Sequence, residues 1–289
     1  MTKTIIGHAY SKINLFLEVT AKRADGYHEL DSIMQTTTLA DEVTVTVTDS
    51  ESTAVTLESS DPSLPTDLHN LACKAAMLYV SAFGITAHIH IKINKVIPVA
   101  SGLAGGSADA AAVLALLERI YEKAGSIDAL SRLSKPLGAD VPFCVRCGIA
   151  RTRGIGEIMT DCPSLTGCRY VIACGEGRKS TAAAYGEIDL LPSRKVRTAD
   201  GMIVAIADGD TDAVGREMYN IFERVTEYPH EIKDVMLSCG ASAALMSGSG
   251  PSVFGIFREA EDADRAKAEL SSMGYAAFTA EPAPERKLR

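Results

Sequence analysis

Apolar and polar residues alternate in several stretches of the first half of the chain, with the two-residue period of β-strands. Residues 11–17 place Ile13, Leu15 and Leu17 on one face of such a strand. Residues 43–47 alternate valine with threonine, and residues 87–97 carry isoleucine at positions 89, 91 and 93. The first half therefore contains several half-buried strands.

Helical patterns lie between and after these strands. Residues 68–83 read as a helix that ends at Gly84, and residues 110–123 are almost all good helix formers, with Gly125 as the stop. Residues 126–137 predict another short helix, before the sequence GADVPFCV.

The pattern changes around residues 150–165, where glycines and short polar pieces interrupt it. Helices are predicted near 198–208, 211–226 and 229–239, followed by strands at 243–246 and 252–257, a helix at 259–273 and a strand at 275–279. A run of helices followed by strand-turn-strand-helix-strand predicts an α+β second domain. We therefore divide the chain into domains at residues 1–157 and 158–289.

Length and composition support a globular protein. The chain has 289 residues, 46% of them hydrophobic and 23% charged, which is ordinary for a soluble domain protein with a sizeable core. No apolar run approaches the roughly 18 residues of a membrane span, and no signal-peptide pattern opens the chain. We expect a cytoplasmic protein without a membrane partner.

The charge balance and the cysteines argue against some kinds of partner and of site. Lys and Arg total 29 against 37 for Asp and Glu, a net charge of −8, which argues against a nucleic-acid partner but leaves room for a small anionic ligand. Seven cysteines indicate free thiols. Cys144 and Cys147 form a CxxC without a second ligand pair, so buried structural thiols are favoured over a metal or redox site.

Residues 101–107 form a glycine-rich loop that runs into a helix. Gly102, Gly105 and Gly106 allow a backbone to approach a ligand closely, and a helix start offers unpaired N–H groups to an anion. The loop is either a phosphate cradle or a tight connection without a ligand. Ser107 could offer its hydroxyl to a phosphate or its metal ion, or could cap the helix.

Other nucleotide-binding signatures are missing. The P-loop, the GxGxxG dinucleotide fingerprint and the protein-kinase HRD and DFG motifs do not occur. A second glycine-rich turn, residues 246–251 (MSGSGP), separates two apolar strands. Taken alone it is more typical of a plain hairpin turn than of a wall for the first loop.

Three further segments carry polar side chains, and each has a structural and a functional interpretation. Asp140 precedes Val141 and Pro142 at a break in the chain, where a helix cap is favoured over an acid presented to a cleft. Lys12 beside Asn14 is either a solvated lysine or one that points into a polar site. Residues 23–32 (RADGYHELDS) predict a surface hairpin turn or a site that stacks on a planar base.

Taken together, these segments resemble the GHMP small-molecule kinases. PVASGLAGGSADAA is similar to the central glycine motif of that family, and LMSGSGPSVFGIF to its C-terminal glycine motif. AYSKINLFL, RADGYHELDSIMQT and GADVPFC are similar to the branch that acts on a cytidine diphosphate-linked sugar alcohol of the non-mevalonate isoprenoid route. The similarity extends from Ala9 to about Phe257.

The resemblance implies a fold, a reaction and partners. The fold would be a two-domain α+β GHMP kinase fold, with an N-terminal domain like ribosomal protein S5 domain 2, a ferredoxin-like C-terminal domain and the site between them. The reaction would be ATP-dependent phosphorylation of the 2-hydroxyl of the cytidine diphosphate-linked methylerythritol, with Mg²⁺. No obligate protein partner is evident. The alternatives are another GHMP small-molecule kinase and a catalytically inactive nucleotide-binding protein.

The resemblance also assigns residues. Lys12 and Asp140 match the catalytic pair, and Ser107 is a candidate Mg²⁺ ligand. The matches for the substrate are Asn14, Tyr27, His28, Thr181 and Tyr185. The matches for ATP and its phosphates are Asn70, Pro98, Ser101, Gly102, Leu103, Ala104, Gly105, Gly106, Ser107, Gly248, Ser249 and Gly250. The loop departs from the family pattern at Ala104, where Gly is usual, and at Ala108, where Ser is usual.

Overall fold

The computed structural model describes residues 1–175, 181–192 and 195–288. The strands of these residues are β1 (Thr2–Lys22), β2 (His28–Asp49), β3 (Ala54–Ser59), β4 (Ala87–Asn94), β5 (Ile149–Gly154), β6 (Ile158–Asp161), β7 (Arg169–Cys174), β8 (Tyr219–Asn220), β9 (Ala243–Met246), β10 (Ser252–Phe257) and β11 (Ala276–Ala280). The α-helices are α1 (Leu71–Phe83), α2 (Gly105–Tyr121), α3 (Ile127–Ser134), α4 (Val141–Arg146), α5 (Thr181–Asp189), α6 (Asp200–Ala207), α7 (Thr211–Glu217), α8 (His230–Ser238) and α9 (Ala260–Ser272).

The larger sheet is built on the long hairpin of β1 and β2. Its strand order is β3-β4-β2-β1-β8, and β5 pairs with another part of β2 and with β6. Asp25 and Gly26 form the hairpin turn, with Gly26 at φ 87°, so the predicted turn in residues 23–32 is confirmed. β1 is longer than the predicted residues 11–17.

Residues 11–19 of β1 are buried on both faces, which differs from the expected alternation. The pairing of β1 with β2 shifts register at Tyr10/Lys12 and at Asn14/Phe16. Such bulges re-aim side chains and often lie next to active sites. As a result Lys12 and Asn14 are covered by the protein without belonging to its apolar core.

Helix α1 follows the sequence pattern closely, since Asn70 caps its start and Gly84 ends it in the left-handed conformation. Helix α2 differs: it begins five residues before the predicted start, within the glycine loop itself. It ends at Tyr121, where Glu122 adopts the left-handed conformation that was expected of Gly125. The long apolar helix therefore starts directly at the candidate phosphate loop.

The smaller sheet has the order β11-β7-β10-β9, all antiparallel. Numbered along the chain within this sheet, the order is 4-1-3-2, with helices after the first and third strands, which is the ferredoxin-like arrangement. The predicted strands at 243–246 and 252–257 are confirmed. The prediction of a single helix over residues 211–226 is wrong. Helix α7 ends at Glu217, and it is followed by β8 and then by a 3₁₀ turn (Ile221–Arg224).

Two elements join the halves of this α+β fold. β8 pairs in parallel with β1 through Phe16 and Leu17. The segment after β11 returns to β2, where Thr38 donates its backbone N–H to the Glu281 carbonyl and Ala283 donates its backbone N–H to the Thr36 carbonyl. The predicted boundary at 157/158 falls between β5 and β6, which are both strands of the larger sheet, and it stays a prediction.

The cysteines pack as expected. All seven are free, and Cys144 and Cys147 are buried, which raises the pKa of both thiols. Among the described residues, no group of three or more His, Cys, Asp or Glu side chains could hold a metal ion. No helix in the described part of the chain has both the length and the apolar character needed to cross a membrane.

Candidate active site

A cavity of about 680 Å³ lies where the two sheets meet and gathers most of the predicted site residues. The predicted residues that line it are Lys12, Asn14, Tyr27, His28, Ser107, Asp140, Thr181, Tyr185, Gly248 and Ser249. They come from β1, the β1–β2 hairpin, α2, α5 and two loops. Residues more than 200 positions apart thus share one site.

Lys12 is held inside the protein rather than solvated. Its side chain is 6% exposed, and its ammonium group donates to Asn14 Oδ1 at 2.7 Å. Asn14 in turn donates to Ser32 Oγ at 2.9 Å, and Ser32 donates to the backbone of Phe16. This chain of hydrogen bonds fixes both side chains, so the ammonium group is pre-positioned in the cavity.

Asp140 stands at the cap position of α4, yet its side chain makes no capping hydrogen bond. The cap role that spacing favoured is therefore wrong. Its carboxylate is one-third exposed and lies 3.8 Å from the Lys12 ammonium group. The acid is thus presented to the cavity, opposite a fixed positive charge.

The glycine loop continues the same wall. Lys12 donates its backbone N–H to the carbonyl of Leu103 at 3.1 Å, which ties β1 to the loop. Ala104, not Ser107, occupies the cap position of α2, and no side chain caps this end. The first N–H groups of α2 therefore lack intrahelical partners and can serve an anion. Ala104 has φ 57°, a left-handed conformation that explains why glycine is usual there.

The second glycine turn is a hairpin turn and also a wall of the site. A Cβ on Gly102 would clash with the Ser247 carbonyl oxygen, so the two loops are in direct contact. Ser247 Oγ donates to the Gly102 carbonyl at 3.1 Å. Asn220, from β8, donates to the carbonyls of Met246 and Gly248 and holds this turn in place.

Aromatic and imidazole rings form another part of the cavity. His28 stacks on Tyr185, with ring centroids 4.6 Å apart and an interplanar angle of 18°. Tyr185 meets Phe222 edge-on at 5.0 Å, and burial raises its pKa to about 12. Tyr27 is 61% exposed at the rim, and Thr181 lies 3.1 Å from Ser249 through their hydroxyl groups. A flat ligand would find both a stacking surface and polar edges here.

Some predicted residues lie beside the cavity rather than in its lining. Asn70 uses its side chain to cap α1 and to bond the Pro65 carbonyl. Ser101 donates to the Pro98 carbonyl, and the Leu103 side chain is fully buried, so both can serve a ligand through their backbone alone. The others outside the lining are Pro98, just before the glycine loop, and Gly102, Ala104, Gly105, Gly106 and Gly250, in the two glycine segments.

A buried charged cluster behind the glycine loop was missed. Lys95 donates to Asp41 at 2.5 Å and to Asp109 at 2.8 Å, and Asp41 also accepts the backbone N–H groups of Val96 and Ile97. Burial raises the pKa of Asp109 to about 7, and its Oδ1 has no hydrogen-bond partner. The one available signal was an acid inside an alanine-rich helix start.

Lys22 and Asp189 also line the cavity and were not anticipated. Asp189 lies at the end of α5 and accepts from Lys22 at 2.6 Å and from the His28 ring at 2.8 Å. No motif marked it, because its partners are more than 160 positions away in the chain.

This arrangement can perform a group transfer between two bound molecules. An anion nest stands beside a carboxylate and an ammonium group, and a stacking surface for a ring lies in the same cavity. A carboxylate presented to the cavity can accept a proton, while the fixed cation and the helix start stabilise negative charge.

Comparison with known proteins agrees with this geometry. The family model for the GHMP kinases N terminal domain matches residues 70–148, and that for GHMP kinases C terminal matches residues 202–276. The 4-diphosphocytidyl-2-C-methyl-D-erythritol kinase of Caldicellulosiruptor saccharolyticus is 42% identical over 266 residues, which cover 91% of each chain. That of Acetivibrio thermocellus is 38% identical over 274 residues, covering 93% of this chain and 96% of the relative.

Solved structures show the same relationship. A crystal structure of 4-(cytidine 5'-diphospho)-2C-methyl-D-erythritol kinase superposes with a TM-score of 0.74 at 30% identity, covering 96% of this chain and 100% of the other. Homoserine kinase from Cytophaga hutchinsonii shares the fold, with a TM-score of 0.74 at 18% identity over 99% of this chain and 96% of the other. The chain therefore belongs to the GHMP kinase family, among its 4-diphosphocytidyl-2-C-methyl-D-erythritol kinases.

Proposed function

We propose that this chain transfers the γ-phosphoryl group of ATP to the 2-hydroxyl of 4-diphosphocytidyl-2-C-methyl-D-erythritol, a step of the non-mevalonate route to isoprenoid precursors. Membership of the family supports the reaction, and one observation of the site supports the identity of the acceptor substrate. The Lys12–Asp140 pair beside the glycine loops shares a single cavity with the stacked His28–Tyr185 rings.

Asp140 is the proposed general base. Phosphoryl transfer relies mainly on positioning and on stabilisation of charge, so the acceptor hydroxyl must lie within about 2.6–3.2 Å of the base. The Asp140 carboxylate is free of capping bonds and would accept the proton of the 2-hydroxyl. Lys12, fixed by Asn14, would offset the charge on the transferred group.

ATP is proposed to bind through backbone groups of the glycine loop and the uncapped start of α2. Gly248 and Ser249, from the second turn, would close the phosphate site from the other side. Asn70, at the start of α1, is the proposed neighbour of the nucleoside. The side-chain oxygen and nitrogen of Asn70 both make hydrogen bonds within the protein.

Mg²⁺ is proposed to accompany ATP. This cation keeps several waters and takes one or two protein ligands together with substrate phosphates. The site fits that pattern, because Ser107 offers a hydroxyl in the cavity and no group of three or more His, Cys, Asp or Glu side chains in the described residues could hold a metal alone. When bound, the ion would neutralise charge on the phosphates.

The cytosine is proposed to bind at the aromatic part of the cavity. His28 and Tyr185 provide a stacked pair of rings, and Tyr27 stands exposed at the rim to cover a base. Thr181 would contact the acceptor between the base and the phosphate loop. A mevalonate-type acceptor has no ring that would use this surface.

The test is a coupled ATPase assay with three acceptors: the cytidine diphosphate-linked methylerythritol, mevalonate and homoserine. We expect stimulation by the cytidine compound alone, with a phosphorylated product in the mass spectrum. Stimulation by mevalonate or homoserine alone would assign the chain to another GHMP small-molecule kinase. Nucleotide binding without turnover of any acceptor would indicate an inactive nucleotide-binding protein.

A further inference from the structure

The side chain of Asn220 links β8 to the second glycine turn through three hydrogen bonds. Its amide nitrogen donates to the carbonyls of Met246 at 2.7 Å and Gly248 at 2.8 Å, and its amide oxygen accepts the backbone N–H of Phe222 at 2.9 Å. Carbonyl oxygens only accept and a backbone N–H only donates, so a single orientation of the amide satisfies all three bonds. Asn220 is 3% exposed, so water competes little for them.

Asn220 is itself fixed by the strand that carries Lys12. β8 pairs in parallel with β1, where Asn220 lies opposite Leu17. The second turn is therefore held at a set position relative to β1. It lies close to the ammonium group of that strand, because a Cβ on Gly248 would stand 3.5 Å from Lys12 Nζ.

The bond from Asn220 to Gly248 sets the direction of one backbone N–H. The Gly248 carbonyl and the Ser249 N–H belong to the same trans peptide unit, the central one of the turn, and point in opposite directions. Asn220 does not line the cavity that Gly248 and Ser249 line. Because the carbonyl points at Asn220, the Ser249 N–H points away from it, towards the cavity. No group of the described residues accepts a hydrogen bond from this N–H.

We propose that Asn220 is a positioning residue for phosphoryl transfer, which keeps the Ser249 N–H aimed at the phosphate that lies beside Lys12. The inference rests on the proposed function, since it concerns the phosphate of the nucleotide that reacts. A peptide unit that could rotate would also present its carbonyl oxygen to the cavity, and this oxygen would repel an anion. The Asn220 amide removes that arrangement, so the donor is already in place when charge develops on the transferred group.

Other bonds anchor the strand that leads into the turn. Glu223 accepts the Met246 N–H at 2.8 Å, and the Gly250 N–H donates to the Ser247 carbonyl at 3.0 Å. Neither bond involves the central peptide unit. Loss of the Asn220 amide should therefore free that one peptide unit while the turn stays in place.

The variant Asn220→Asp tests the direction of the peptide unit. Its carboxyl group can still accept the Phe222 N–H, but it has at most one proton, so it cannot donate to both carbonyls. The central peptide unit should then turn its carbonyl oxygen away from residue 220, and the Ser249 N–H should leave the cavity. Asn220→Leu removes all three bonds and should affect ATP in the same way, with a larger loss of stability.

Gln35→Glu is the matched control. Gln35 is 1% exposed, and its amide nitrogen donates to two backbone carbonyls, those of Thr36 at 2.7 Å and Gly148 at 3.2 Å. Gln35 does not line the cavity. The control thus loses the same kind of hydrogen bonds at an equally buried place, and it reports the effect of destabilisation alone.

The experiment measures kcat and both KM values with ATP and the cytidine diphosphate-linked methylerythritol as the varied substrates. We expect Asn220→Asp to lower kcat/KM for ATP at least about tenfold, while KM for the acceptor stays within about twofold of wild type. Gln35→Glu should leave kcat/KM for ATP near the wild-type value. Equal losses in the two variants, or a loss confined to the KM of the acceptor, would overturn the inference.

A second readout does not depend on turnover. In nitrogen-15 NMR spectra of the wild type, the Ser249 amide proton should shift downfield when a non-hydrolysable ATP analogue binds, and in Asn220→Leu it should not. An unmoved Ser249 amide in the wild type, or an equal shift in the variant, would overturn the inference even in an active enzyme. If the wild type phosphorylates no acceptor, the proposed function fails, and this shift still decides whether Asn220 aims the N–H at a phosphate.

Discussion

At the residue scale, burial and hydrogen bonding separate side chains that look alike in the sequence. Asp140 and Asp128 are both acids near the start of short helices, but Asp140 faces the cavity while Asp128 is exposed on α3. Lys12 is buried beside Asn14, although most lysines are solvated. The role of each group follows from what surrounds it.

The variant Asp140→Asn should abolish turnover without loss of structure. Asp140 makes no capping bond, so stability and ATP binding should stay near wild type, while kcat falls by about 10²–10⁴-fold with the loss of the base. Steady-state kinetics, calorimetric ATP binding and thermal unfolding measure the three quantities. Asp128→Asn is the control and should keep full activity. Wild-type turnover in Asp140→Asn would remove Asp140 as the base.

Asp109 should make stability depend on pH. Its folded pKa of about 7 lies above the value near 3.9 of an unfolded aspartate, so the folded protein binds the extra proton between these values. The free energy of unfolding contributed by this group therefore falls as pH rises through that window, and it is flat above pH 7.

The test is urea unfolding of the wild type and of Asp109→Asn from pH 5 to pH 8. The difference in unfolding free energy, wild type minus variant, should decrease with rising pH, by at most about 1.4 kcal/mol per pH unit. Groups remote from Asp109 titrate alike in the two proteins, so the difference reports Asp109 together with its partners Lys95 and Asp41. A difference that is constant or grows with pH would contradict the assignment.

Sequence patterns found the residues of the motifs but not the side chains from elsewhere in the chain that contact them. Asp189 and Asn220 come from stretches with no motif, and a single helix was predicted across Asn220. Their contacts are with residues distant in the chain, such as His28 and Gly248. Such pairs depend on tertiary packing, which local periodicity does not encode.

At the element scale, strands and helices with strong periodicity were predicted well. The alternation of residues 87–97 and the helix before Gly84 both correspond to real elements, β4 and α1. The start of α2 was misplaced, because glycines are poor helix formers and the helix begins there against side chains from elsewhere in the chain, Lys95 and Ile97 beside Gly105 and Leu71 beside Gly106. The functional loop is thus the place where local propensity was misleading.

The contact between the two glycine segments should be sensitive to one methyl group. In Gly102→Ala, the new Cβ would meet the Ser247 carbonyl oxygen and push the second turn away. Gly84→Ala is the matched control, since it also has positive φ but open space around it. The control should cost about 1 kcal/mol of stability.

Gly102→Ala should cost more than that control and should also raise KM for ATP, since the phosphate site loses its second wall. Urea unfolding and kinetics at varied ATP concentration measure both effects. Equal losses of stability in the two variants, together with an unchanged KM, would show that the loops do not depend on this contact.

At the scale of the whole molecule, buried charge pairs tie the two parts of the chain together. Arg151, on β5, donates two hydrogen bonds of 2.7 Å to Asp31 on β2, and Asp31 also accepts the backbone N–H of Ala199 just before α6. Arg151 reaches Asp200 at 2.7 Å as well. This cluster of ion pairs thus fixes the larger sheet against α6, the helix that follows α5 in the chain.

Asp31→Asn should therefore be far more harmful than Asp200→Asn, although both acids contact the same arginine. Asp31 is 7% exposed, and its loss leaves a buried guanidinium group poorly compensated, at a cost of about 3–5 kcal/mol. Asp200 is 70% exposed, and its loss should cost less than about 1 kcal/mol. Urea unfolding of the two variants decides this; similar losses would contradict it.

The return of residues 281–286 to the larger sheet has a consequence for how the protein is made. Along β2, residues 36–38 lie between the parts that pair with β5 and with β4, and their partners are Glu281 and Ala283. A ribosome releases Glu281 only 243 residues after Thr38. This stretch of β2 therefore stays without these partners until residues 281–283 have been made, and the first half of the chain reaches its finished form only after the second half has been synthesised.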